Sequence, residues 1–276
     1  MYISAIILSY NAGRSINRCL SELIEALEPF GKDNEIFVVD NGSGDQSVSI
    51  IETFHQRYPQ IVKPIYLKTN TGTTFSRNSA LTKADGDFVL ILDSDAYIGF
   101  AALSQLVDYL QAHPATGIVA PRLYYRSGSF QLSCDSFPTL LRKVRRFLFL
   151  KRWESAPIAL KAATQPIDVD YAISACWLLR RDAVEETGLF DEKIFYSPED
   201  VDYCLRVWRN GLKVTYLPAA EVIHDAQELS RGFRLSSFHF QHLKGLLYLF
   251  RKHRYFWRLG PLYRRIGRFI QRDAAS

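Results

Sequence analysis

Phe88-Val-Leu-Ile-Leu-Asp93-Ser94-Asp95 constrains this chain more than any other stretch. Four aliphatic residues in a row follow the turn signal Asp85-Gly86-Asp87 and Phe88. They are too few to span a membrane and suit a strand covered on both faces, as in a parallel sheet. The run stops at two carboxylates separated by one residue. Ligands of open α/β sheets bind at the carboxyl ends of strands, so Asp93 and Asp95 stand where a ligand is expected. Such a pair suits a hard cation such as Mg²⁺, which takes one or two carboxylates plus substrate phosphates. The same residues could instead cap the helix expected over roughly Gly99 to Gln111, or make an Asx turn.

The flanking chain repeats the pattern. Ile3 to Leu8, Glu35 to Asp40 and Ile61 to Leu67 read as strands. Between them, Ile16, Leu20, Leu23, Ile24 and Leu27 recur at helical spacing behind Ser15, an expected N-cap. Gln46 to Tyr58 and a segment through Arg77, Asn78 and Leu81 fit two more helices. Alternating strands and helices predict an α/β, doubly wound, mostly parallel sheet with helices on both faces. From Gly117 the pattern changes. Gly117 to Pro121 reads as a strand stopped by proline, Asp168 to Arg180 as a strand pair or a strand and turn feeding the core, and Arg181 to Gly188 as a short helix. Val201 to Asn210 reads as a helix, and Val214–Leu217 and Glu221–His224 as two short strands. With no linker between them, residues 1–115 and 116–228 read as two halves of one domain.

With 276 residues and 47% apolar composition the chain can bury a large core. Cys19, Cys134, Cys176 and Cys204 form no CxxC pair, which points away from a zinc site or disulfide framework and toward a reducing compartment. The first ten residues lack the basic region of a secretory leader. No stretch approaches the roughly 18 apolar residues of a spanning helix. A cytoplasmic location, or the inner face of the cytoplasmic membrane, is expected.

The loop after the first strand is Ser9-Tyr10-Asn11-Ala12-Gly13, not the glycine-rich turn of a dinucleotide-binding unit, and neither a P-loop nor a G-x-S-x-G elbow occurs. What remains is rich in carboxylates: Asp40, Asp93, Asp95, Glu199 and Asp200, with His224 late in the chain. Carboxylates and a metal suit transfer from a pyrophosphate-bearing donor: the metal neutralises the leaving diphosphate and a free carboxylate acts as general base.

In order and spacing, several short pieces resemble the family 2 glycosyltransferases of the GT-A fold, in the branch of bacterial rhamnosyltransferases and related surface-polysaccharide enzymes. They are Ile6 to Asn11, Val38 to Ser43, Asn70-Thr-Gly72, Asp87 to Asp95, Ala120 to Leu123, Gly188 to Glu192, Glu199 to Arg206 and Val222 to His224. Asp93-Ser94-Asp95 stands where many relatives carry Asn-Pro-Asp. His224-Asp225-Ala226 stands where they often carry His-X-Gly or His-His. The resemblance implies that Asp40 binds the donor base, with Ser9 and Tyr10 lining its pocket. Asn70 and Ser94 fall in donor-site motifs, and Arg77, near the turn after Asn70, either reaches a diphosphate or makes a surface ion pair. Asp93 and Asp95 become the DXD pair, Asp95 the direct ligand of Mg²⁺ or Mn²⁺, with His224 completing the metal site. In the pair Glu199-Asp200, Asp200 becomes the catalytic base. The implied reaction is an inverting transfer from a nucleotide-diphosphate-sugar, dTDP-rhamnose or a UDP-sugar, to a hydroxyl of a glycan or lipid-linked glycan. A nucleotidyltransferase and a non-catalytic nucleotide-sugar-binding homologue are the alternatives. Pocket walls are expected from Tyr124 to Asp135 and Tyr171 to Leu178. Asp202 is expected as a solvated partner of Arg206.

Residues 229–276 stand apart by charge. From Arg231 onward there are eleven Lys/Arg and one acid, Asp273, so the tail carries +10 and the first 230 residues −5. Leu243, Leu246, Leu247 and Phe250 recur at helical spacing, and aromatics alternate with arginines beyond them. A helical C-terminal extension on an anionic membrane is expected, with Leu140 to Arg152 adding to the same face; the alternative is a helix packed on the domain. No other feature supports nucleic-acid binding.

Overall fold

The computed structural model describes residues 3–31, 33–140, 157–226 and 237–267. Most of the basic segment 140–152 and the boundary at 228/229 lie outside them.

In chain order come β1 (Ile3–Ser9), α1 (Ile16–Leu27), β2 (Glu35–Asp40), α2 (Ser47–Arg57), β3 (Val62–Tyr66), α3 (Thr73–Leu81), β4 (Phe88–Asp93), β5 (Ala96–Tyr97) and α4 (Phe100–Ala112). The second half holds β6 (Thr116–Tyr124), β7 (Phe130–Gln131), β8 (Cys134–Asp135), α5 (Pro157–Ala162), β9 (Ile167–Asp168), β10 (Tyr171–Ala172), β11 (Cys176–Arg180), α6 (Arg181–Thr187), α7 (Glu199–Arg209) and β12 (Lys213–His224). Two helices follow, α8 (Ser237–His253) and α9 (Gly260–Arg265).

The central sheet runs β3-β2-β1-β4-β11-β6-β12-β5. Pairs β1–β2, β2–β3, β1–β4 and β6–β12 are parallel, and β11 lies antiparallel between β4 and β6. Successive strand residues face opposite sides. Ile3, Ala5, Ile7, Leu90 and Leu92 pack with Leu20 and Leu23 of α1, Ile51 of α2 and Leu106 of α4. Ile6, Val89, Ile91 and Trp177 pack on the other side with Leu81 of α3, Val201 and Leu205 of α7, and Leu249 and Phe250 of α8. Helices on both faces account for the unbroken apolar runs in the strands.

Four local expectations are corrected. Ser15 precedes α1 but makes no side-chain cap; its Oγ donates to the Ala12 carbonyl oxygen at 3.3 Å. Pro121 does not stop β6, which pairs on through Pro121 to Tyr124. The two short strands after Leu212 are one strand, β12, with a register shift between Leu217 and Glu221. For 168–180 the strand pair gives way to the segment feeding the core: β9 joins β12, β10 joins β8, and β11 enters the centre of the sheet.

α8 and α9 do not stand apart from the domain. Leu246, Leu249, Phe250, Tyr255, Leu262, Tyr263 and Ile266 are buried in the same core cluster as Trp177 and Val201. The described residues of the extension, 237–267, thus form two helices packed on the domain. Among the described residues no helix is long and apolar enough to cross a membrane.

Candidate active site

The parallel register sets the site. Ser9 pairs with Asp40, and Leu8 with Asp93, so three strands deliver their last residues to one edge. A cavity of about 270 Å³ opens there. Its lining includes Leu8, Arg77, Asp93, Ser174, Tyr196, Ser197, Glu199, Asp200 and His224. Residues from positions 8 to 224 therefore converge on one cavity.

Asp93, Asp95 and His224 each present a ligand atom within 4.8 Å of the others. A two-residue ladder builds this group. His224 pairs with Ala96, and the Asp225 N–H donates to the Asp95 carbonyl at 2.8 Å. The ring's Nε2 lies 3.4 Å from Asp95 Oδ1 and 4.0 Å from Asp93 Oδ2. Its Nδ1 meets Gln131 Oε1 at 3.0 Å. A nitrogen that donates to an amide oxygen leaves the other free to face a cation. Burial disfavours the charged ring, but the bond to Asp95 and the nearby carboxylates outweigh it and raise the His224 pKa. A divalent ion bound there would compete with a proton for the ring nitrogen. Two carboxylates and one imidazole fit such an ion, with positions left for donor oxygens.

Arg77 ties this cluster to the start of α7. It is buried, not a surface ion pair. One terminal nitrogen donates to Asp93 Oδ1 at 2.8 Å, the other to Ser174 Oγ at 2.6 Å and, more weakly, to Glu199 Oε1 at 3.4 Å. Ser174 Oγ also donates to Glu199 Oε1 at 3.2 Å. Burial, then the charge of Asp200, push the Glu199 carboxyl up to about 8, against the pull of Arg77. Asp200 lies beside it in the first turn of α7, where the helix dipole favours an anion, and accepts a hydrogen bond from the Val201 N–H at 2.7 Å.

The other expected residues line the neighbouring strand ends, outside that cavity's lining. Asp40 is buried; its Oδ2 accepts from the Ser43 N–H at 3.0 Å, while Asp40 Oδ1 and Ser9 Oγ are buried without a partner among the described residues. Tyr10 is exposed. Asn70 has a turn-building position: its Oδ1 accepts from Asn41 Nδ2 and the Gly72 N–H, both at 3.0 Å. Ser94 sits in the turn between β4 and β5. Asp202 is not solvated but buried in a polar cluster with Arg206, Lys252 and His253. Trp177 is fully buried core.

Sequence reasoning placed Gln131 and Ser174 within the expected pocket walls without singling them out, and missed Tyr196 and Ser197 as site residues. Gln131 is delivered by the β6–β7 ladder, opposite Leu123. No local pattern marks any of the four.

A family model for glycosyl transferase family 2 matches residues 4–188. The chain belongs to glycosyl transferase family 2. It is 26% identical over 271 residues to an N-acetylglucosaminyl-diphospho-decaprenol L-rhamnosyltransferase of Mycobacterium tuberculosis, covering 93% of this chain and 86% of that one. Among solved structures it is similar to the mannosyltransferase PcManGT from Pyrobaculum calidifontis in complex with GDP-Man and Mn²⁺, with TM-score 0.65, 20% identity and coverage of 96% and 68%. It is also similar to Staphylococcus aureus TarS 1-349 in complex with UDP-GlcNAc, with TM-score 0.58, 23% identity and coverage of 85% and 62%. These structural likenesses bear out the GT-A fold, and the family makes the chain a glycosyltransferase.

Proposed function

We propose that this glycosyltransferase moves a sugar from a nucleotide-diphosphate donor, dTDP-rhamnose or a UDP-sugar, to a hydroxyl of a glycan or lipid-linked glycan, inverting the anomeric carbon. The single observation that carries this reading is the meeting of Asp200 with the Asp93–His224 side of the cation cluster around one cavity. The relative from Mycobacterium is named for rhamnosyl transfer to a diphospho-decaprenol-linked sugar, which supports the donor and acceptor classes.

Asp40 and Ser9 would hold the donor base through the two buried oxygens that have no partner among the described residues, with Tyr10 over the base. Asn70 and Ser94 would shape the loops around the donor. Asp95, with Asp93 and His224, would hold Mn²⁺ or Mg²⁺; the imidazole suits Mn²⁺ better, since Mg²⁺ prefers oxygen alone. Bound there, the ion would neutralise charge on the departing diphosphate. Arg77 would reach the diphosphate only by giving up a carboxylate, so its role is to hold Asp93 and Glu199. Asp200 would accept the proton of the attacking hydroxyl, and Glu199, protonated at neutral pH, would supply a hydrogen bond beside it. Residues 1–115 would form the donor half and 116–228 the acceptor half, working at the inner face of the cytoplasmic membrane.

The test is a thermal-shift screen of nucleotides and nucleotide sugars with and without Mn²⁺. A ligand at 100 times its dissociation constant stabilises by roughly 2.7 kcal/mol. A metal-dependent shift with UDP or dTDP is expected. In Asp200→Asn that shift should persist while turnover falls on the order of 10²–10⁴-fold, the usual contribution of a general base. Normal turnover in that variant would remove Asp200 from the role. Asp95→Ala should lose the metal-dependent part of the shift.

A further inference from the structure

α8 has two unlike sides. Its inner side is built into the protein: Leu246, Leu249 and Phe250 are buried, His242 Nδ1 lies 3.0 Å from Ser197 Oγ, and Lys252 pairs with Asp191 and Asp202. Its outer side has no such reason for its composition. Leu243 and Leu247, one turn apart, are 52% and 46% exposed. Lys244, Arg251 and Arg254 are exposed along the same stretch. The turn after the helix continues the theme, with Phe256 39% and Trp257 60% exposed beside the exposed Arg258. Not one Asp or Glu occurs from Leu229 to Arg272.

A solvated helix face has no use for two leucines and a tryptophan. A protein–protein contact would favour some acid among the bases, or an apolar centre with a polar rim. Apolar and basic side chains interleaved along one stripe match the boundary of an anionic bilayer, where leucine and tryptophan enter the acyl margin and arginines meet phosphate. We infer that the outer stripe of α8 with the Phe256-Trp257-Arg258 turn is a membrane-docking surface for anionic lipid. The inference deepens the membrane reading given above by naming the surface. It also fixes a geometry. Ser197 lines the cavity, and α8 is bolted to it and to Asp191, so a bilayer on the stripe is held in a constant relation to the acceptor side of the site.

The test is flotation of the full chain with vesicles of phosphatidylcholine alone and of phosphatidylcholine with phosphatidylglycerol, at low and high salt. Capture by the anionic vesicles, weakened by salt but not by nucleotide, is expected. Replacing Arg251 and Arg254 by Ala should weaken capture about 25-fold, at about fivefold per basic residue near such a surface. Leu243→Ser with Trp257→Ser should weaken it by a similar order even at low salt. Both variants change only exposed side chains, and an unaltered melting temperature would show that they fold. The inference is overturned if anionic vesicles do not capture the chain. It is also overturned if neither variant changes capture, or if RNA is retained at concentrations where vesicles are not. Vesicle capture without any nucleotide shift would remove the transferase mechanism and leave this surface standing.

Discussion

His224 is aimed by a residue outside the cation cluster, Gln131. Gln131 Oε1 accepts a hydrogen bond from the Nδ1–H, and Nε2 faces Asp93 and Asp95. Partners of this kind are worth 10–100-fold in metal affinity. Gln131→Ala should therefore weaken Mn²⁺ binding by about tenfold or more in a calorimetric titration, with the fold intact; unchanged affinity would show that the ring needs no orienting. Arg77 is the second such residue. Arg77→Leu leaves Asp93 and Glu199 without their shared cation, and breaking a buried pair costs about 3–5 kcal/mol. Urea unfolding should show a loss near the lower figure, because burial raises the Glu199 carboxyl to about 8 and weakens its share of the pair. Arg77→Lys should recover only part, since one ammonium cannot span three partners. The carboxylates were legible in the sequence because each ends a strand or starts a helix, where local pattern fixes position. Gln131 and Ser174 were not, because each meets its partner only through pairing between distant strands.

The junction of α7 and α8 makes its own demands. Gly245 lies against the Ser197 carbonyl and Pro198, and a Cβ there would collide with that oxygen. In an exposed helix Gly→Ala gains about 1 kcal/mol. Here Gly245→Ala should instead lower the melting temperature, and a rise would mean that α8 can lift off at no cost. Asp202 sits between the same helices, facing Arg206 from α7 and Lys252 and His253 from α8, with Asp191 sharing Lys252. Burial would raise its pKa, but the bond from His253 and the charges of Arg206 and Lys252 hold it at about 2. A carboxyl lowered from 3.8 in this way stabilises the fold above pH 4 and loses that contribution as pH falls from about 4 to 2, on the order of 2 kcal/mol in all. His253 adds to the same slope earlier. Burial lowers its pKa, helped by Arg209 and Lys252 and opposed by Asp202, so the unfolded chain takes up a proton first as pH drops below about 6.5. Urea midpoints should thus fall in two stages, and Asp202→Asn should flatten the lower one. Strands and helices of the first half were legible because their apolar periods are long. Pro121 and β12 were misread because proline is tolerated where its nitrogen points away from a ladder, and a bulge can carry one strand across Pro218-Ala219-Ala220.

At the scale of the molecule, alternation of strands and helices announced a two-sided sheet, and the two core clusters are its two faces. What composition concealed was that α8 and α9 complete one of those faces. Their basic residues dominate any count, yet Leu246, Leu249, Phe250, Tyr255, Leu262 and Tyr263 are buried. Full burial of one large apolar side chain is worth about 1.5–3 kcal/mol. Six of them amount to on the order of 10 kcal/mol, within the range of about 5–15 kcal/mol that is all a domain has. Removing the extension would also strip Lys252 and His253 from Asp202 and leave that carboxylate with Arg206 alone. A chain ending at residue 228 should therefore show no cooperative thermal transition and no nucleotide shift, although it keeps every residue assigned to the site. A sharp melt with a metal-dependent UDP or dTDP shift from that shortened chain would show that the extension is an addition to the domain. Loss of both, with recovery when residues 229–267 are supplied as a separate peptide, would show that it is part of the core.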